Sequence, residues 1–298
     1  MIQYEEILRI GIIQTNVDDR TAWSKYGKLT LRMQPYAEKM VMDEIRKGFK
    51  DLMDRKNPPK IVLIPEYSIP EGGIPQLEKH SKSMSAVIIG GLDVIEDSGN
   101  VYNKGIVIVP DRWPEKTVSY STSHFFFGKT YFSEVELDWF KKCGHKTPIS
   151  DSVNYIIDAN IYGNIGIAIC SDFYDIERFV IYKGKIHHLL IISYNKDYKS
   201  FEFLAEAISR LLLCNVVICN TGNYGDSLAY SPYKKEYKRI IYKNAGANLF
   251  STQIIELPTN ELEDNQIAAH DKFTEGKDVN SEDYRFKWPP GYKKFDRY

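Results

Sequence analysis

Seven short apolar runs, rich in Ile and Val, constrain the fold of this chain more than any other feature. They are RIGIIQT (9–15), KIVLIPE (60–66), AVIIGGLD (86–93), GIVIVP (105–110), IGIAIC (165–170), HLLIISY (188–194) and NVVICNT (215–221). Most run apolar without alternation, which suits strands covered on both faces rather than strands with one wet side. Amphipathic segments lie between several of them. YAEKMVMDEIRKGFKDLMDR (36–55) sets Met40, Ile45, Phe49 and Leu52 near one helical stripe, and SFEFLAEAISRLLLC (200–214) does so with Phe203, Ala207, Ile208 and Leu211. Strands alternating with helices predict an α/β fold with helices packed outside the sheets.

The 298 residues suffice for a large core, as one big domain or two ordinary ones. No repeat, low-complexity tract or Pro/Gly/Ser linker marks an internal boundary. From about residue 257 the chain turns polar and closes with YRFKWPPGYKKFDRY. The expected organisation is a domain over 1–257 and a tail over 258–298. That tail is either frayed or, given Tyr284, Phe286, Trp288, Tyr292, Phe295 and Tyr298, an arm packed on a partner subunit. A formal net charge of −1 gives no footprint for nucleic acid or an anionic membrane. The lysines of SPYKKEYKR (231–239) read as a solvated face. MIQYEEILRIGIIQ has acids where a signal peptide needs bases, and the apolar stretches fall short of the ~20 residues of a membrane helix. Cys143, Cys170, Cys214 and Cys219 read as reduced thiols, so a cytoplasmic protein is expected.

Chemistry is expected at strand ends, where an α/β sheet opens onto a crevice. IVLIPEYSIP delivers Glu66 there, IGIAICSD delivers Cys170, and HFFFGKTYFSEVE carries Lys129 inside an aromatic run. Each alone has an ordinary structural explanation: a solvated acid, a snorkelling lysine, a packed thiol. In combination they have one chemical meaning. A thiol of pKa about 8.5 needs a base or a cation beside it to become a nucleophile. A carboxylate takes its proton and later activates water. An ammonium group steadies the oxyanion, helped by a backbone N–H of Ser171 or Asp172.

The same pieces resemble the nitrilase or carbon–nitrogen hydrolase superfamily, whose catalytic set is Glu, Lys and Cys in that order. The glutamate motif is IVLIPEYSIP, the strand pair before the lysine VYNKGIVIVPD, and the cysteine motif IGIAICSDFYDIERF. The resemblance continues through LLIISYNKD, AISRLLLCNVVICNTGNYGDS and GANLFSTQIIEL, covering about residues 8–257. It implies a four-layer α-β-β-α sandwich, commonly dimerised, that hydrolyses small amides, carbamoyl compounds or nitriles without metal or organic cofactor. It also implies an auxiliary glutamate soon after the lysine, at Glu134 or Glu136. One departure stands out. Where the family has Lys-x-His-Leu, YSTSHFF has His124 but Thr122 in the lysine's place. The intervals from Glu66 to Lys129 and from Lys129 to Cys170 suit the family better, so Lys129 is taken as the family lysine.

Pocket walls are expected from Tyr67, Tyr131, Phe173 and Asn195, on loops 67–83, 130–150, 195–202 and 221–235. His187 and His188 open a strand and read as surface or capping groups. Cys214 and Cys219 read as core and Cys143 as exposed and inert. No zinc-ligand spacing, dinucleotide fingerprint or P-loop is present, so no metal and no cofactor is expected. Two other classes stay open on the sequence: a silent sandwich that binds a small amide or a partner, and a transferase passing the acyl group to an amine.

Overall fold

Apolar runs without polar interruption can be satisfied only inside a stack of layers, and the computed structural model, which describes residues 3–115, 119–145 and 148–295, shows such a stack. One six-stranded sheet contains β1 (Ile7–Gln14), β2 (Ile61–Ile69), β3 (Val87–Leu92), β4 (Lys104–Pro110) and β5 (Thr122–Gly128). The other contains β6 (Ile156–Asp158), β7 (Asn164–Ile169), β8 (His188–Ser193), β9 (Asn215–Asn220), β10 (Ser227–Tyr230) and β11 (Ile240–Asn244). Strand β12 (Ser251–Pro258) returns to the first sheet, giving the orders β12-β1-β2-β3-β4-β5 and β6-β7-β8-β9-β10-β11. Each sheet has three parallel strands at its centre, β1-β2-β3 and β7-β8-β9, flanked by antiparallel neighbours. All seven sequence-predicted strands are present.

Successive residues of one strand serve different layers. Ile61 and Leu63 face the second sheet and join Ile10, Ile12, Ile165, Ile167 and Leu190 in a core between the sheets. Val62 and Ile64 face outward, under helices α1 (Pro35–Met53) and α2 (Ile74–Met84). Helix α3 (Glu134–Lys142) follows β5, while α4 (Ile176–Tyr182) and α5 (Tyr198–Leu212) cover the outer face of the second sheet. The result is the α-β-β-α sandwich implied by the sequence resemblance. Among the described residues no helix is long and apolar enough to cross a membrane.

Two helical stripes differ from expectation. In α1 the buried face is Ala37, Val41, Ile45, Phe49 and Leu52, and Met40 is 47% exposed. In α5 the sheet receives Phe201, Ala205, Ile208 and Leu212, leaving Phe203 72% and Leu211 58% exposed. Both helices are apolar on more than one side, so periodicity alone did not single out the face. Loops 67–83 and 130–150 are also less irregular than expected, because they contain α2 and α3.

Beyond β12 the chain forms a further helix, α6 (Asn260–Thr274), and a segment that docks on its own chain. Phe286, Trp288 and Tyr292 are buried with Leu213, Leu262 and Ala269. Backbone bonds tie Lys234 to Arg285 and Phe295 to Gly184. Described residues of the tail are therefore not frayed.

Candidate active site

The three candidates arrive from three elements. Glu66 sits inside β2, where pairing with β3 breaks between Ile64 and Ile69 and Tyr67 takes a left-handed φ of +58°. Opposite this bulge stands Gly91, at which an added Cβ would lie 2.3 Å from the Glu66 Cα. Only a glycine admits the approach. Lys129 follows the last residue of β5. Cys170 follows the last residue of β7, at φ +45°, and starts a short 3-10 turn running to Tyr174. A non-glycine residue held in that region is strained, and the strain turns its side chain off the strand direction.

The side chains form one buried cluster. Lys129 is 1% exposed, and its Nζ lies 2.8 Å from Glu66 Oε1, 2.7 Å from Glu136 Oε1 and 2.8 Å from Glu136 Oε2. Tyr67 donates its hydroxyl to Glu136 at 2.7 Å, and the Tyr194 N–H donates to Glu66 Oε2 at 2.8 Å. Asn103 Nδ2 reaches Glu66 Oε1 and the Tyr67 hydroxyl, each at 2.7 Å. Glu136 is the third residue of α3 and also closes a capping box with Ser133, so one carboxylate both starts the helix and grips the lysine. Glu134, the other auxiliary candidate, lies exposed on the first turn. Thr122 begins β5, at the far end of that strand from Lys129, and His124 contacts Glu78 in an exposed pair.

Burial and charge set the protonation order. Burial raises Glu66; Lys129 opposes this but Glu136 adds to it, and the group stays above the ordinary glutamate range. Burial would also raise Glu136, but the charge and hydrogen bonds of Lys129 outweigh it and the carboxyl is lowered. Burial would lower Lys129, but the two carboxylates hold its ammonium well above the usual lysine range. The Cys170 thiol, 9% exposed, is pushed up by burial and by Glu66, against the pull of Lys129. It therefore rests as a thiol beside a carboxylate disposed to take a proton.

The remaining candidates divide. Asp172 is buried, and its carboxylate accepts the backbone N–H groups of Thr130 and Tyr131, with Arg178 at 3.4 Å. It fixes the loop that follows Lys129. Ser171 donates its hydroxyl to the Tyr131 carbonyl at 2.7 Å, tying the cysteine turn to that same loop. Tyr131 is half exposed beside these groups. Asn195 is half-buried and bonded to Asn220 and Asp197. Phe173 is fully buried between Phe179 and Phe201, so it is a core residue and not a pocket wall. His187 and His188 are buried rather than superficial, His187 against Glu263 and His188 against the Tyr162 carbonyl. Sequence reading missed Asn103 and Tyr194. The first stands two residues ahead of GIVIVP, before Lys104, and the second ends HLLIISY, but nothing local says toward which strand either turns.

No family model and no curated protein matches the sequence. Solved structures do match the fold. Nit3 of Saccharomyces cerevisiae, from branch 10 of the nitrilase superfamily, superposes with a TM-score of 0.62 at 14% identity, over 89% of this chain and 95% of that one. XC1258 of Xanthomonas campestris, a CN-hydrolase superfamily protein with an arsenic adduct in its active site, gives 0.62 at 12% identity, over 93% and 99%. An amidase variant from Nesterenkonia sp. AN1, with the acetamide moiety of fluoroacetamide added covalently at its active-site cysteine, gives 0.57 at 11% identity, over 91% and 98%. Layer order and nearly complete coverage of these chains agree: this protein has the fold of the nitrilase superfamily.

Proposed function

We propose that the protein is a thiol-dependent hydrolase of carbon–nitrogen bonds in small amides, carbamoyl compounds or nitriles. The observation carrying this reading is the buried Glu66–Lys129–Glu136 cluster set against Cys170 at a strained strand end. For an amide, Glu66 takes the thiol proton as Sγ attacks the carbonyl carbon. The negative oxygen forms beside the Lys129 ammonium and the backbone N–H groups after Cys170. Collapse breaks the C–N bond, and the leaving amine takes the proton from Glu66. Water, deprotonated by Glu66, then attacks the thioester, releasing the acid and restoring the thiol. Because the resting thiol is raised, attack and proton transfer go together rather than through a standing thiolate.

The acetamide moiety added covalently at the active-site cysteine of one Nesterenkonia amidase variant, and the butyramide bound by its cysteine-to-alanine mutant, support that substrate class. We assign the chemistry to residues 1–257 and treat the described residues of 258–298 as a strap on the same chain. We assign a cytoplasmic setting on its four free cysteines. Exposed Ile176 and Val180 on α4 and Phe203 and Leu211 on α5, two helices in contact, support a homodimer. The test of the mechanism is Cys170→Ala. Across a panel of small amides it should lose turnover by at least about a thousandfold and form no covalent adduct by intact mass. Retained turnover would refute the mechanism. Unreactive Cys170 in the wild type would favour a binding module instead.

A further inference from the structure

Two carboxylates share one ammonium in this cluster, and the chemistry requires that one of them exchange a proton while the other does not. Their surroundings are unequal. Glu136 receives Lys129 on both oxygens, the Tyr67 hydroxyl, and the Ser133 N–H and hydroxyl. Glu66 receives Lys129 and Asn103 on Oε1 and the Tyr194 N–H on Oε2. Asn103 therefore supplies one of three donors to Glu66. Its reach to Glu136 is longer, 3.1 Å.

The orientation of the amide is forced. Turned over, its carbonyl oxygen would face the Glu66 carboxylate. As it stands, Oδ1 is buried without a hydrogen-bond partner among the described residues, and the side chain is 1% exposed. A buried orphan carbonyl is costly, and an amide kept only for packing would be satisfied at both ends. The main chain of the same residue accepts the Lys129 N–H at 3.0 Å, so Asn103 meets the lysine with its backbone and the glutamate with its side chain.

We propose that Asn103 is a positioning residue: its amide decides that Glu66, not Glu136, is the carboxylate that exchanges the proton with Cys170. Donation to Glu66 Oε1 holds that oxygen on the lysine and favours the ionised carboxylate over the protonated one. Donation to the Tyr67 hydroxyl turns the hydroxyl's own hydrogen toward Glu136, which keeps Glu136 an acceptor only. This rests on the hydrolase reading above.

The test is the pH dependence of Cys170 alkylation by acrylamide, read by intact mass in wild type, Glu66→Gln, Asn103→Ala and the isosteric Asn103→Asp. An acid limb that disappears in Glu66→Gln supports the hydrolase reading, and its absence in the wild type overturns that reading on its own. Given that limb, Asn103→Ala should move it upward by roughly one pH unit, through loss of one charge-assisted donor. Asn103→Asp should move it further, by adding a third acidic group. A merely structural role would lower the rate without moving the limb. An unmoved limb in whichever variant folds overturns the proposal. Infrared titration of the carboxylates in the Cys170→Ala background gives the same answer without reactivity: the Glu66 band should titrate at higher pH when Asn103 is replaced.

Discussion

Lys129 is the cation that both carboxylates of the site share. Its ammonium is fully buried and survives there because two carboxylates meet it within 2.8 Å. A buried charge stripped of its partner costs about 3–5 kcal/mol. Lys129→Met should therefore destabilise the protein by about that amount at pH 7, since it leaves Glu66 and Glu136 facing each other unneutralised. The sign of the pH dependence follows. In the variant the folded pair would hold a proton more tightly than unfolded glutamates do, so its stability deficit should shrink as pH falls toward 5. Urea denaturation at the two pH values checks this, and an equal deficit at both would contradict the ion-pair account. Residue types and order made Glu66, Lys129 and Cys170 legible in the sequence. Glu136 was narrowed to a pair with Glu134, and the helix decided between them, since its third position turns back toward the cap while its first points to water.

At the scale of elements, the second sheet shows how much a helix leaves undecided. SFEFLAEAISRLLL has apolar residues on two sides, and the sheet took Phe201, Ala205, Ile208 and Leu212. The unused side is exposed at Phe203 and Leu211, and the contacting helix α4 exposes Ile176 and Val180. If that surface joins two copies, Phe203→Asp should convert a dimer to a monomer in sedimentation velocity while changing monomer stability by no more than about 0.5 kcal/mol. A wild type that sediments as a monomer would remove the dimer from consideration. Helix α6 was unreadable for a different reason. Its inner face includes Asn265 and Gln266, which look like surface residues but are bonded to the Trp288 indole and to the carbonyls of Ile186 and Leu213. A polar buried face leaves no apolar period to detect.

For the whole molecule, the segment after β12 is held down by an ionic clasp as well as by aromatic burial. Glu263 lies 2.7 Å from His187 Nε2 and 2.6 Å from Lys294 Nζ, which joins α6, the residue before β8 and the segment around Lys294. Burial would raise this carboxyl, but the His187 hydrogen bond and the Lys294 charge outweigh it and bring it to about 2. A depressed folded pKa gives stability that is complete above the unfolded value near 4.5 and is lost as pH falls toward 2. Glu263→Gln should thus cost at most about 3 kcal/mol at pH 7, and wild type and variant should converge only once the pH has fallen to about 2. Parallel stability curves across that range would show that the clasp carries no net charge stabilisation.

The sequence by itself determined the layered α/β plan, because uninterrupted Ile and Val runs have no stable place except between two covering layers. It also determined three chemical types, because an acid, an ammonium group and a thiol have few joint uses, although Glu66 stands at a bulge inside its strand and not at a strand end as expected. Only the tertiary structure decided which groups meet. Asn103 stands 37 residues from Glu66 and Tyr194 stands 128 residues from it, so the contacts that set the site's protonation cross between strands and sheets. Local periodicity reports which side of an element is apolar. It is silent on what the opposite layer brings to that side, and the protonation of Glu66 is fixed by what is brought.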